Sequence, residues 1–363
     1  MRSIVDKTWQ VTVTYIIMNL GLIFFLYPGD IIASTVDGHW IPILLGFAVH
    51  FLVITIYMTG LENLGNKDII SLYLGIGKGL PLILLLPIAV YVLMTIIIMI
   101  RSLAEFMMIV FLGSTPLWAV LLLFLFIANY LALKGINSIL RTSILLGLVN
   151  IPVILFFFSS SFQNADWRYV FPLFGDLSFI SSPSYMKSFF VFSGGFLFLG
   201  FMQPAVTFRK RNIWIAALVL LPFIVFSVYI PLMTFGQATA STFHFPFVIA
   251  LDTISLTWLM FDRITIFLFL SLISFLMIFL SIGLWSMTRI VNQSFPVTKP
   301  IYVLPVLSLF VFVVCLVIPN WKDIEKLFWW NTYLRFYILL TVPLSTYMIG
   351  LRTKGRSNYE PIG

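Results

Sequence analysis

Two charged side chains inside an apolar stretch are the residues most obviously placed to take part in chemistry. Arg101 and Glu105 lie in the segment MIIMIRSLAEFMMIVFL. Four residues apart on a helix, they share one face. Charges inside a membrane segment are costly, so they usually pair or face a water-filled interior. We predict either a gating or coupling pair beside a central ligand site, or a structural pair that fixes helix packing near the membrane surface.

A second candidate is a long apolar stretch that is interrupted by glycine and proline. It is TYIIMNLGLIFFLYPGDIIASTV at residues 14–36, in which Gly21 lies near the middle and Pro28 begins the sequence Pro-Gly-Asp. A helix can break in lipid only where other groups satisfy the freed backbone, and transporters place substrates at such breaks. Asp30 is predicted to cap the helix that follows this break.

A similar stretch opens the second half of the chain. It is KSFFVFSGGFLFLGFMQPAVTF at residues 187–208, which contains Gly194, Gly195 and Gly200. The pair of stretches favours two broken membrane helices that meet at a ligand site. The alternative is that the glycines allow close helix packing and the prolines only kink the helices.

The chemistry of two such breaks would suit an α-amino acid. Exposed N–H groups at the start of a half-helix suit a carboxylate, and freed carbonyl groups suit an amine or cation. The phenylalanines near the breaks would wall an apolar pocket, or would serve only in packing. The residues predicted to bind the ligand at the membrane midplane are Gly21, Leu22, Ile23, Phe24, Gly194, Gly195, Phe198, Gly200 and Phe201.

The composition places these elements in a membrane. Of 363 residues, 61% are hydrophobic and 9% are charged, whereas soluble domains have about 25% charged residues. The sequence contains no phosphate-binding loop, no suitably spaced carboxylate pair and no nucleophile with a base, so we do not expect an enzyme. The single cysteine lies in an apolar stretch and the three histidines are scattered, so neither a metal site nor a cofactor is predicted.

Ten stretches are long enough to span a bilayer, which takes about 20 mostly apolar residues. Lysine and arginine are concentrated in one set of connecting loops, which places both termini in the cytoplasm. The predicted spans lie near residues 11–36, 40–60, 81–111, 116–133, 142–160, 186–208, 213–235, 264–288, 301–319 and 333–351.

Ten spans divide into two sets of five, and an odd number of spans gives the two halves opposite orientations. This arithmetic is typical of inverted-repeat transporters. We therefore predict an all-α membrane protein with a 5+5 inverted repeat, in which spans 1 and 6 are broken. The single membrane domain would consist of a first repeat (7–160), a linker (161–185), a second repeat (186–352) and a cytoplasmic tail (353–363).

Short segments between the spans are also predicted to be helical. The sequences DIISL at 68–72 and DTISL at 252–256 each follow the second span of a half. Each is expected to form a short interfacial helix with its aspartate near the N-terminus. The segment NWKDIEKLFWW, residues 320–330, is predicted to form a separate interfacial helix before the last span.

Taken in order, these features resemble those of the spore germination permeases. These proteins are the membrane-permease (B) subunits of nutrient-germinant receptors, and they belong to the amino acid–polyamine–organocation transporter superfamily. The resemblance covers essentially the whole chain. It rests on the size, the ten spans, and the patterns GLIFFLYP at 21–28, RSLAEF at 101–106, WRYVFPLFGD at 167–176, FLGF within 197–201 and FDR at 261–263.

The resemblance implies a receptor subunit in the spore inner membrane or the bacterial cell membrane. Such a subunit would bind a small nutrient, expected to be an amino acid, and would signal germination through a soluble-domain membrane subunit and a lipoprotein. One alternative is an active amino-acid transporter coupled to protons or sodium. Another is a structural subunit with a vestigial site, because Ile23 stands where relatives often have glycine and Phe201-Met202-Gln203 lacks the acidic residue that many carry.

The eighth span offers a possible ion site. In sodium-coupled transporters of this architecture, hydroxyl groups of that span join carbonyl groups of the first span around the ion. Ser271 and Ser274 lie three residues apart on one helix face and would take that place. The alternative is that both serines hydrogen-bond back to their own helix.

Overall fold

The computed structural model describes residues 7–65, 67–75, 79–111, 113–253, 265–296 and 298–357. Within these ranges the fold is all-helical, as the sequence predicts. The helices are α1 (Thr8–Phe25), α2 (Tyr27–Ile32), α3 (Trp40–Asn63), α4 (Ile69–Gly75), α5 (Leu80–Val110), α6 (Leu117–Lys134), α7 (Ile136–Ser161), α8 (Pro183–Ser188), α9 (Phe190–Gly194), α10 (Leu197–Phe201), α11 (Lys210–Ala240), α12 (Pro246–Asp252), α13 (Thr265–Ser294), α14 (Pro300–Val317) and α15 (Trp321–Ser357).

Ten helical segments of the described ranges are long and apolar enough to cross a membrane, which confirms the predicted number. Helices α8, α9 and α10 together form the sixth span, and α1, α3, α5, α6, α7, α11, α13, α14 and α15 contain the other nine. We call the end of the bundle that carries Thr8 and Ser357 the termini side. The opposite end, which carries the linker at residues 162–182, is the linker side.

The first and sixth spans lie in the interior of the bundle. In each of them 78% of the span is buried, compared with 28% for α14 at the periphery. Helix α1 packs against α7, α11 and α13, while α15 packs against α3 and α5. The two spans that the sequence interrupts are therefore those whose backbone has the most protein around it, and only there can a helix break in lipid.

The breaks are present, but the first lies beyond the glycine that suggested it. Helix α1 continues through Gly21, and the chain leaves the helix at Leu26 before α2 begins. Gly21 instead allows close packing, because a Cβ atom there would lie 3.2 Å from Cβ of Phe275 on α13. The sixth span is interrupted at Phe189 and again at Gly195, so its second interruption lies at the predicted glycine pair.

The short segments between the spans differ in part from the predictions. Asp68 precedes α4 and accepts a hydrogen bond from the Ile70 backbone at 3.1 Å, as predicted. Asp252 is the last residue of α12 rather than near a helix N-terminus, and residues 254–256 and 261–263 lie outside the described residues. The prediction of a separate interfacial helix at residues 320–330 is wrong, because α15 begins at Trp321 and continues without a break into the last span. No glycine or proline lies there to end a short helix.

The linker consists of short 3₁₀ turns that are fixed by specific hydrogen bonds. Asp166 accepts a hydrogen bond from the Arg168 backbone at 3.0 Å at the start of one turn. Hydrogen bonds from the Arg168 side chain, and then from its backbone, lower the pKa of Asp166 to about 2. The Trp40 indole donates to the Leu173 carbonyl at 2.7 Å, which attaches the linker to the start of α3.

A buried ion pair on the termini side links Asp68, just before α4, to α13. The Asp68 side chain is 4% exposed and pairs with Arg289 of α13. Gln293 of the same helix donates to Asp68 Oδ2 at 2.5 Å. From the other end of this segment, the Tyr73 hydroxyl lies 2.8 Å from Ser345 Oγ on α15. The short helix α4 is thereby held against both α13 and α15.

We expect Asp68→Asn to lower the stability of the protein by roughly 3 kcal/mol, because it leaves the partly buried Arg289 cation without its carboxylate. The measurement is the thermal unfolding midpoint of the purified protein in detergent. Glu62→Gln is the matched control, since Glu62 is 56% exposed in its pair with Lys210 and its loss should change stability by less than about 1 kcal/mol. Equal shifts of the unfolding midpoint in the two variants would contradict the buried character of the Asp68–Arg289 pair.

Candidate ligand site between the first and sixth spans

The second interruption of the sixth span lies directly against α1. The Asn19 side chain is 1% exposed, and its Nδ2 donates to the Tyr15 carbonyl at 2.8 Å. A Cβ atom built on Gly195 would lie 2.7 Å from Asn19 Oδ1. Only glycine permits this approach, so Gly195 brings the interrupted backbone of the sixth span onto a buried amide of the first.

The break of the first span lies at a different height from the second interruption of the sixth span. Leu26 follows Asn19 by seven residues, which corresponds to about 10 Å of helix rise toward the linker side. Asn19 itself contacts Gly195. The groups freed at Leu26 therefore do not face those freed at Gly195. The first interruption of the sixth span, at Phe189, lies six residues nearer the linker side, where α2 packs against α8.

A small cavity, which we call the midbundle cavity, lies beside the sixth-span interruption. Its volume is about 30 Å³, which is room for one or two water molecules. Thr95 of α5 lines it and is 4% exposed. Its Oγ1 makes no hydrogen bond of ordinary length in the described part of the chain, and the Tyr91 hydroxyl, one turn away on the same helix, is a polar neighbour. The lining residues are Met18, Tyr91, Val92, Thr95, Ile96, Gly194, Leu197, Phe198, Phe201, Phe279, Ile282, Gly283 and Ser286.

Tyrosine hydroxyl groups from two other spans hold the interrupted sixth span in place. The Tyr91 hydroxyl of α5 lies 2.7 Å from Ser193 Oγ, just before the glycine pair. From α3, the Tyr57 hydroxyl donates to the Leu197 carbonyl at 3.2 Å, just after it. These contacts satisfy polar groups on both sides of the interruption, so the backbone can leave the helix there without facing lipid.

Some of the predicted ligand residues of the sixth span reach the midbundle cavity. Gly194, Phe198 and Phe201 line it. Gly200 does not line it. A side chain at this position would overlap Ile69 and Tyr57. Gly200 thus serves the packing of the sixth span against α3 and α4.

The predicted ligand residues of the first span have other surroundings. Gly21 contacts α13, while Leu22 and Ile23 are fully buried. Phe24 stacks on Phe247 with ring centroids 4.8 Å apart. None of these four residues lines the midbundle cavity.

Arg101 and Glu105 form an ion pair, and their geometry favours the packing alternative. Arg101 is 2% exposed, and its Nε and Nη2 each donate to the Ile318 carbonyl at 3.3 Å. That carbonyl belongs to the residue after α14. The pair therefore caps the end of α14, and neither residue lines the midbundle cavity.

Both serines of the predicted ion site hydrogen-bond to their own helix. Ser271 Oγ donates to the Phe267 carbonyl at 2.8 Å and Ser274 Oγ to the Leu270 carbonyl at 2.7 Å. Ser271 also lies 3.1 Å from Asn150 Oδ1 on α7. These contacts follow the alternative in which the hydroxyls bond back to the helix. Among the residues that the structure describes, no cluster of three His, Cys, Asp or Glu could hold a metal ion.

Sequence reasoning missed Arg335, which is fully buried in α15. Its Nη1 donates to the Lys187 carbonyl at 2.7 Å, and its Nη2 donates to Asn331 Oδ1 at 2.9 Å. The guanidinium lies 5.0 Å from the Phe190 ring centroid and 4.9 Å from that of Phe328. Arg335 thus caps α8 at the first interruption of the sixth span.

The polar side chains around the midbundle cavity were also missed. Asn19, Tyr91 and Thr95 each stand in an apolar run, as in TYIIMNLG and IAVYVLMT. A polar residue inside a span is the available signal, because it must find a partner or a cavity. The sequence does not show which face of the span points inward, and that decides which of these residues meet.

Known proteins are similar to this chain over most of its length, including the residues around the midbundle cavity. The pattern of the spore permease family, described as spore germination protein, matches residues 7–324. The chain is also similar to the protein named spore germination protein GerQB of Bacillus cereus, with 25% identity over 336 residues that cover 90% of each chain. The family match includes every residue that lines the midbundle cavity.

We expect Gly195→Ala to destabilise the protein by about 1–3 kcal/mol, because the added methyl group would overlap the Asn19 amide. The double variant Asn19→Ala/Gly195→Ala should regain part of that loss, and a double-mutant cycle on thermal unfolding midpoints measures the coupling. Gly113→Ala is the control, since a Cβ there meets only the Met108 carbonyl at 3.9 Å. Purely additive effects of the two substitutions would argue against the Asn19–Gly195 contact.

Proposed function

We propose, from the premise that this chain belongs to the spore germination protein family, that it is the permease-like membrane subunit of a germinant receptor. It is an integral membrane protein with ten apolar helices in its described part. Its role would be to bind a small nutrient, expected to be an amino acid, between the first and sixth spans. Binding would shift the conformation of the bundle and signal germination to partner subunits.

The poorly satisfied hydroxyl of Thr95 is the observation that carries this proposal. A buried hydroxyl that lacks a good hydrogen bond costs up to about 1–3 kcal/mol, and this one lines the midbundle cavity beside the interrupted sixth span. A polar group of a nutrient could satisfy it. The cavity holds only one or two waters, so the nutrient would have to displace Phe198 and Phe201. Because a ligand shifts an equilibrium only by binding one state more tightly, this displacement would be the signal.

The orientation and the partners complete the proposal. Lysine and arginine lie mainly in the loops of the termini side, as in the sequence Arg209-Lys210-Arg211, so we propose that both termini face the cytoplasm. The linker side would face outward from the spore inner membrane. A soluble-domain membrane subunit and a lipoprotein would be the partners that receive the signal.

A structural subunit with a vestigial site is the second candidate, and the tight packing around the midbundle cavity favours it. A Cβ atom on Gly194 would lie 3.0 Å from the Phe279 ring, so little free space is present there. In such a subunit the chain would assemble the receptor without binding a nutrient. Concentrative uptake of an amino acid by the purified chain in liposomes would instead indicate an active transporter.

We expect Thr95→Val to raise thermal stability and to weaken the germination response. Valine keeps the shape of threonine but removes the poorly satisfied hydroxyl, so the unbound protein should gain up to about 1 kcal/mol. Spores with this variant should need at least tenfold more nutrient to germinate. Thr288→Val is the matched control, because Thr288 is 4% exposed and already donates to the Leu284 carbonyl at 2.8 Å.

The germination measurement compares these spores with spores that lack the chain, over a panel of amino acids, sugars and nucleosides. The amount of each variant in the membrane must first equal that of the unaltered protein. If Thr95→Val spores keep in full a response that deletion removes, the structural subunit is the better description. If deletion changes no response, the receptor function itself is wrong.

A further inference from the structure

A second and larger cavity opens on the linker side, at the break of the first span. Its volume is about 240 Å³, enough for a small organic molecule rather than a few waters. Its walls are the α1–α2 break at Leu26, one face of α5, the first turn of the sixth span, residues 241–244 and the start of α15. We call it the linker-side pocket.

Charges of both signs line this pocket at low exposure. Asp30 Oδ1 and Lys187 Nζ lie 3.6 Å apart, with side chains 12% and 17% exposed. This separation is longer than a hydrogen bond. Glu325, which is exposed, also lines the pocket and acts electrostatically on Asp30. The pair is therefore only loosely made, and Arg335 also acts electrostatically on Asp30. Because Asp30 and Lys187 both line the pocket, a ligand there can reach both charges.

Unpartnered polar groups point to the same pocket. Ser102 of α5 is 1% exposed and lines it, and its Oγ has no hydrogen-bond partner among the described residues. The Trp321 indole nitrogen, on another wall, is also buried without a partner there. Buried polar groups are nearly always hydrogen-bonded in native proteins. A ligand with polar atoms would supply what these two groups lack.

We propose that the linker-side pocket binds the zwitterionic main-chain groups of a free aliphatic α-amino acid. The ammonium group would lie between Asp30 and Glu325, and the carboxylate would bind Lys187 with a hydrogen bond from Ser102. The aliphatic side chain would pack against Phe328. This is a second site, separate from the midbundle cavity, so it goes beyond the proposed function.

The charge pattern selects a zwitterion over a ligand with one charge. An amine alone would occupy the carboxylates and leave the Lys187 ammonium desolvated. A carboxylic acid alone would occupy Lys187 and take from Asp30 the cation that lies 3.6 Å from it. Sites that are built to pair a polar group discriminate strongly against an analogue that lacks it, because their own buried group is then left unpaired.

The test is a calorimetric titration of the full-length protein in lipid nanodiscs with L-valine. Isobutylamine has the shape of valine without its carboxylate, and isovalerate has that shape without its ammonium. We expect saturable binding of valine and at least tenfold weaker binding of each analogue. No saturable binding of valine, or equal binding of either analogue, would overturn the proposal.

Variants locate the binding. Asp30→Asn and Lys187→Met should each weaken valine binding at least tenfold. Lys326→Met is the control, because Lys326 is 74% exposed on the same end of α15 and does not line the pocket. Ala33→Trp fills the pocket from an exposed position without changing its charge, and it should abolish binding even if the charge variants fail to fold.

The two sites can be separated in the same titration. Thr95→Val alters the midbundle cavity only and should leave valine binding to the linker-side pocket unchanged. If Thr95→Val removes valine binding while Ala33→Trp and Asp30→Asn preserve it, the amino acid lies in the midbundle cavity. That result would overturn the linker-side site and support the proposed function.

Discussion

The architecture depends on capping helix ends that lie inside the bundle. Each such end exposes carbonyl groups that lipid cannot satisfy. Here donors from other spans supply the hydrogen bonds at two C-terminal ends: Arg335 binds the Lys187 carbonyl and Arg101 binds the Ile318 carbonyl. Tyr57 adds a hydrogen bond to the Leu197 carbonyl at the start of α10. The broken spans are therefore stable only in the presence of their neighbours, and the breaks and the packing form one arrangement.

This constraint also explains why the most buried charges are arginines. A guanidinium has five donors in a planar fork and is weakly hydrated, so it can bind carbonyl groups and stack on rings at the same time. Arg335 does both, since it caps α8 and lies over Phe190 and Phe328. Arg101 combines its cap with the ion pair to Glu105. A lysine at either place would provide a single point charge and no fork.

Two glycines show which part of the site could be predicted from the sequence and which part could not. Gly195 and Gly21 both interrupt apolar runs, and both suggested breaks, yet only Gly195 lies at one. Gly21 keeps its helical backbone, and its missing side chain admits α13 instead. The ten spans and the place of the sixth-span break follow from apolar length and glycine content. The contacts of Thr95 and Asn19 depend on how the spans are rotated against one another, and local sequence does not encode that rotation. The inverted repeat stays a prediction.

Helix α15 runs without a break from the linker side to the termini side, so a tilt at one end moves the other. Its first turns line the linker-side pocket, and the last of its 37 residues lies on the termini side. At 1.5 Å per residue the helix is about 55 Å long, so a tilt of one degree about its pocket end moves the far end by about 1 Å. Pro343 lies within the helix and lacks the backbone N–H of an unbroken turn, so bending concentrates there. A ligand bound in the linker-side pocket, as proposed, would therefore act on a helix whose other end lies at the opposite membrane surface.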